Sequence, residues 1–157
     1  MSNNRMTAAT KDMIKKYFDK KISELDDKLG NRGYELSLAK IKELQDNQTY
    51  RDLIGICEQY LQILNGIDPD DKFGGKYYIE RIIEGHNSNR FFKTPYRSDY
   101  SKLFGNDIEI ENIIEQKAAL KKQCNKILWN LEMAPKSSEA YKECLKEAED
   151  ILFNKEN

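Results

Sequence analysis

Apolar residues recur along this chain at intervals of three and four, the spacing that keeps side chains on one side of an α-helix. Ile14, Phe18, Ile22, Leu25 and Leu29 form the first such stripe, with Lys15, Lys16, Asp19, Lys20, Glu24 and Asp27 around it. The pattern predicts a helix from about Thr7 to Leu29. Gly30-Asn31-Arg32-Gly33 tolerates positive φ and so predicts its end, before a shorter helix from about Glu35 to Asp46 that turns Leu38, Ile41 and Leu44 inward. Thr49, with Asp52 three residues on, predicts the start of a third helix, which Gly66 stops. Leu53, Ile54, Ile56, Cys57, Tyr60, Leu61, Ile63 and Leu64 cover more than one stripe of it. That width predicts the most buried helix, at the centre of the domain.

Asp68-Pro69-Asp70-Asp71-Lys72-Phe73-Gly74-Gly75 is loop chemistry. Its acids invite comparison with an EF-hand calcium loop, but the spacing fails. Counted from Asp68, the fifth residue is Lys72, the sixth is Phe73 rather than Gly, and the twelfth is Ile79 rather than Glu. A solvated acidic turn is the expectation. A short helix follows over about Lys76 to Glu84, and the stretch from Gly85 to Asn106 keeps neither helical nor strand spacing, apart from a turn or two of helix between Ser98 and Phe104. Asn106, with Glu109 three residues on, has the form of a capping box for a long helix reaching Leu131 or Met133. Its seam is Ile110, Ile113, Lys117, Leu120, Cys124, Ile127 and Leu131. Ala134-Pro135-Lys136-Ser137 breaks it, and a last helix repeats the rhythm with Tyr141, Cys144 or Leu145, Ala148, and Ile151 or Leu152. An antiparallel hairpin of these two helices would set Cys124 opposite the turn holding Cys144 and Leu145.

These elements predict an all-α fold, a single-domain bundle of about six helices over residues 1–157. Its parts are N-terminal helices over 7–66, a short helix and an irregular loop over 67–107, and the hairpin over 108–153.

Composition narrows the function classes. The 157 residues are 39% hydrophobic and 34% charged, with a formal charge of −1, so no global field draws the protein to nucleic acid or anionic lipid. No apolar run approaches the roughly 18 residues of a membrane span, and Met1-Ser2-Asn3-Asn4-Arg5 leads into no secretory apolar block. A cytoplasmic protein without a membrane role is expected. Valine is absent while isoleucine occurs 16 times, the signature of AT-rich codons, which suits a low-GC bacterium or its phages and mobile elements.

One His and three Cys leave little for a metal site. Cys57, Cys124 and Cys144 each fall in an apolar helical seam, where a thiol is inert, so pairing with His86 for catalysis is not expected. No phosphate-cradling glycine motif and no HExxH segment occurs. The expectation is therefore a protein with no catalytic residues, no cofactor and no metal.

One segment does stand out. Between Lys76 and Lys102 six cations face three acids, and the cations are interleaved with rings in Arg90-Phe91-Phe92-Lys93-Thr94-Pro95-Tyr96-Arg97-Ser98-Asp99-Tyr100-Ser101-Lys102. Arg and Tyr dominate protein-binding hot spots. Cations beside rings also suit single-stranded nucleic acid, where phosphates are held while bases stack. Arg90, Phe92, Lys93, Tyr96, Arg97, Tyr100 and Lys102 are the candidate partner-binding residues. A protein partner is the leading expectation, with RNA or single-stranded DNA as the alternative. The C-terminal helix is acidic, six acids against three cations from Ser138 to Asn157, and offers a face to a basic partner, including the basic loop of a second copy in a homodimer.

Overall fold

The computed structural model describes residues 8–153, so Thr7, Lys155 and Glu156 lie outside it. The fold is all-α. Among the described residues run α1 (Ala8–Gln45), α2 (Gln48–Ile67), α3 (Lys76–Asn87), a 3₁₀ turn (Arg97–Asp99), α4 (Tyr100–Leu103), α5 (Ile108–Met133) and α6 (Glu139–Phe153), with no strand. None of these helices is long and apolar enough to cross a membrane. Contacts gather the chain into two compact units, one of residues 8–32 with 100–153 and one of Gly33–Asp99.

In the first unit the seams meet as side chains. Ile14 and Phe18 of α1, Ile127 and Leu131 of α5, and Tyr141, Cys144 and Ala148 of α6 form one buried core, with Leu120, Cys124, Ile151 and Leu152 packed at its edge. The α5–α6 pair is antiparallel. Gln123 Nε2 donates to Glu147 Oε2 at 3.3 Å and the Cys144 thiol faces the Lys126 carbonyl at 3.9 Å, so numbers rise on one helix as they fall on the other. Cys144 takes the inward position and Leu145 stays exposed. The three cysteines are free thiols, and burial pushes the Cys124 and Cys144 thiols above the usual range. Lys117 interrupts the α5 seam because its ammonium pairs with Asp26 of α1. Lys11 with Glu132 repeats the link at the other end, which sets α1 antiparallel to α5.

The expected helix end at Gly30–Gly33 is corrected: α1 passes straight through it. Each glycine costs about 1 kcal/mol relative to alanine in a helix interior. Tertiary anchoring outweighs that here. Leu29 is buried, and Arg32 grips both carboxylate oxygens of Asp107 at 2.8 and 3.1 Å. Asp107, not Asn106, caps α5, accepting from the Ile110 amide at 3.2 Å. The hydrogen bond from Arg32 holds the Asp107 carboxyl below the usual carboxylate range, helped by the Ile110 amide and against some burial.

In the second unit α2 packs against α3. Asn47, two residues before the expected Thr49, caps α2 by accepting from the Tyr50 amide at 3.1 Å. The expectation that this is the most buried, central helix is overturned. Ile54, Cys57 and Leu64 are buried, but Leu53, Ile56, Tyr60, Ile63 and Ile67 are exposed, Ile56 at 62% and Ile67 at 77%. A wide apolar arc does identify a helix with two faces, but α3 covers only one of them. The acidic turn also differs from expectation. Asp68 is buried, and its carboxylate accepts from the Lys72 amide at 2.8 Å and the Phe73 amide at 2.9 Å. Asp71, in the left-handed region at φ 53°, accepts from the Lys76 amide at 3.2 Å. The carboxylates of Asp68 and Asp71 thus hold the turn together.

Candidate loop surface

The basic aromatic loop leaves α3 through a helix stop of defined geometry. α3 extends to Asn87, which places His86 in its last turn rather than in the polar loop expected of it. Asn89 takes φ 58°; its amide donates to the His86 carbonyl at 3.2 Å and the Arg90 amide to the Gly85 carbonyl at 2.8 Å. This pair of bonds is a Schellman stop, with Asn in the position glycine usually fills. The Phe91 amide shares the Gly85 carbonyl at 3.0 Å, so the first two loop residues are fixed to the helix end.

Beneath them lies an aromatic floor. The Tyr50 ring on α2 meets Phe91 at 5.4 Å, Phe92 at 5.1 Å and His86 at 5.5 Å between centroids. The Tyr50 hydroxyl lies 2.7 Å from His86 Nδ1, to which it donates when that nitrogen is unprotonated. Burial raises the Tyr50 hydroxyl above the usual tyrosine range, so the phenol is neutral at neutral pH. This anchor was not found from the sequence. Its signal is an aromatic residue one turn ahead of the α2 stripe, and only the fold brings it to a histidine 36 residues away.

On that floor the candidate residues separate by exposure. Arg90, Lys93, Tyr96 and Arg97 are exposed, Tyr96 at 78%, whereas Phe92 is half-buried against Tyr50. Arg90 lies 3.8 Å from Glu84 and donates to the Ser88 hydroxyl at 3.1 Å. Lys93 and Arg97 make no ion pair among the described residues. Open grooves flank the loop, one of about 510 Å³ between Phe92, Lys93 and the Leu38–Lys42 stretch of α1, and one of about 430 Å³ beside Arg81, Glu84 and Arg90.

The other two candidates belong to the first unit. Tyr100 is 5% exposed and packs on Phe104 at 5.9 Å, so its ring is part of a core and is withdrawn from the binding set. Lys102 is exposed on α4. Among the described residues no three His, Cys, Asp or Glu side chains gather as metal ligands. Compared with known proteins, the chain matches no family model, no curated protein and no solved structure.

Proposed function

We propose that this is a non-catalytic helical binding protein of the cytoplasm that engages a protein partner through loop residues Arg90, Lys93, Tyr96 and Arg97. The supporting observation is Tyr96, a ring 78% exposed between Lys93 and Arg97 on a loop whose base is clamped. A large ring held in water by a fixed backbone suits a partner's pocket, because little conformational freedom remains to be lost on binding. Composition extends the proposal to a phage- or mobile-element-encoded inhibitor of a host system, since an AT-rich origin is the natural source of a chain with no valine.

The alternative, an RNA- or single-stranded-DNA-binding regulator using loop 90–102, draws on Lys93 and Arg97, which have no ion partner among the described residues. It is weakened by the burial of Tyr100 and the half-burial of Phe92, which leave Phe91, packed on Tyr50, and Tyr96, five residues on, as the exposed rings of the segment rather than a continuous series for stacked bases. The test is recovery of bound material from the source cell after nuclease treatment, with the parent and the Arg90→Ala/Lys93→Ala/Arg97→Ala variant. A protein that survives nuclease and is lost with the variant supports the proposal. Binding that nuclease abolishes, with log affinity falling steeply against log salt, establishes the alternative. A variant that binds as the parent does removes the loop from function.

A further inference from the structure

The face of α2 that α3 leaves uncovered runs from Leu53 through Ile56, Tyr60 and Ile63 to Ile67, in steps of three, four, three and four. That rhythm is the seam of a helix that packs against another helix. At 1.5 Å per residue it extends about 20 Å. Five large side chains, each about half exposed or more, present an apolar surface on the order of 500 Å², at the upper end of what a monomer leaves open. We infer that a second copy of this chain covers it, with the two α2 helices antiparallel about a two-fold axis.

Charge favours a like partner. Seams that select a different chain carry charged flanks that set partner choice. Between Asp52 and Asp68 the only charge on α2 is Glu58, which helical geometry places on the far side from the stripe; the near flank is Gln59 and Gly66. Two identical acidic or basic flanks would repel each other; here the one charge beside the stripe, Asp52 at its N-terminal end, lies far from its own copy in an antiparallel pair. The helix dipoles favour the antiparallel arrangement, since each N-terminus then lies beside the partner helix's C-terminus, and the three-four rhythm permits it. One register covers all five residues: Leu53 lies against Ile63 of the partner subunit, Ile56 against Tyr60 of the partner subunit, and Thr49 against Ile67 of the partner subunit, each contact occurring twice. With Asp52 and Gln59 at the rim, the buried surface approaches roughly 600 Å² per partner, the low end of specific interfaces. This inference is independent of the loop.

The experiment is sedimentation equilibrium of the full chain up to about 100 µM, a concentration at which a dimer with a Kd of about 10 µM is mostly formed. The parent is expected as a dimer. Leu53→Lys and Ile63→Glu, made singly, should each weaken dimerisation at least tenfold, while circular dichroism shows them folded. Leu53→Lys combined with Ile63→Glu restores the dimer, because opposite charges then meet across the antiparallel pair. A monomeric parent at 100 µM overturns the proposal. So does a double variant that remains monomeric, or one that restores nothing beyond the single changes. Should the charged single variants fail to fold, Tyr60→Ser and Ile63→Thr replace them, and unchanged dimerisation in both overturns it.

Discussion

α2 and α5 carry similar apolar seams and meet different fates. In α5 the inward residues Ile110, Ile113, Ile127 and Leu131 are all buried, and Lys117 and Glu132 tie its flanks to α1. In α2 Ile56 and Ile63 stand in water beside buried Cys57 and Leu64. The lesson is that periodicity fixes which residues share a helix face, but the number of covered faces depends on how many other elements pack there. One neighbouring helix covers about one stripe.

The largest expected effect follows from that contrast. Ile127→Ala, at a site with no exposure, should cost about 2–5 kcal/mol in urea unfolding, as buried large-to-small changes do. Ile56→Ala should stay within about 0.5 kcal/mol when measured on monomer. Equal losses at the two sites would show that α2 is as buried as α5. Leu120, half-buried at the core edge, should fall between them.

Next comes Asp68→Ala, which strands the amides of Lys72 and Phe73. It should cost about 1.5–3 kcal/mol, as losing hydrogen bonds to a charged group does. Calcium should not change the stability of the parent, because both carboxylate oxygens of Asp68 are committed to these amides. At the loop base, Asn89→Ala should cost about 1 kcal/mol because alanine resists the left-handed region, whereas Asn89→Gly should be neutral or stabilising.

The smallest effect sharpens the first unit alone. Asp107 has its folded pKa depressed chiefly by Arg32, so its contribution is full above the unfolded value near 4 and is lost as pH falls through the folded one. Asp107→Asn should therefore lower Tm at pH 7, and the gap from the parent should close progressively below about pH 4.

Much of the fold was legible because long helices announce themselves by spacing. The α5–α6 seam, the break at Pro135 and the short turns around Ser98–Phe104 follow from local pattern and turn residues. What escaped depends on contacts distant in sequence. Gly30 and Gly33 read as a stop because their weakness is local, while the grip of Arg32 on Asp107 spans 75 residues. The α2 arc read as core because sequence cannot count neighbours. The cations and Tyr96 of the loop were legible as exposed polar chemistry among rings. The burial of Tyr100 and the Tyr50–His86 anchor were not, because a ring's chemistry is the same whether it packs or projects.

The split of the first unit between the two ends of the chain bears on its birth. The N-terminal part of α1 leaves the ribosome with Ile14, Phe18, Leu25 and Leu29 ready to be buried, but their partners lie beyond residue 99. At about 5–20 residues per second, those side chains wait several seconds before α5 and α6 emerge. The unit of Gly33–Asp99, continuous in sequence, has its whole complement of residues first. Nascent chains halted near residue 100 should therefore recruit hydrophobic-binding chaperones at their N-terminal stripe, and release them once α6 has been made.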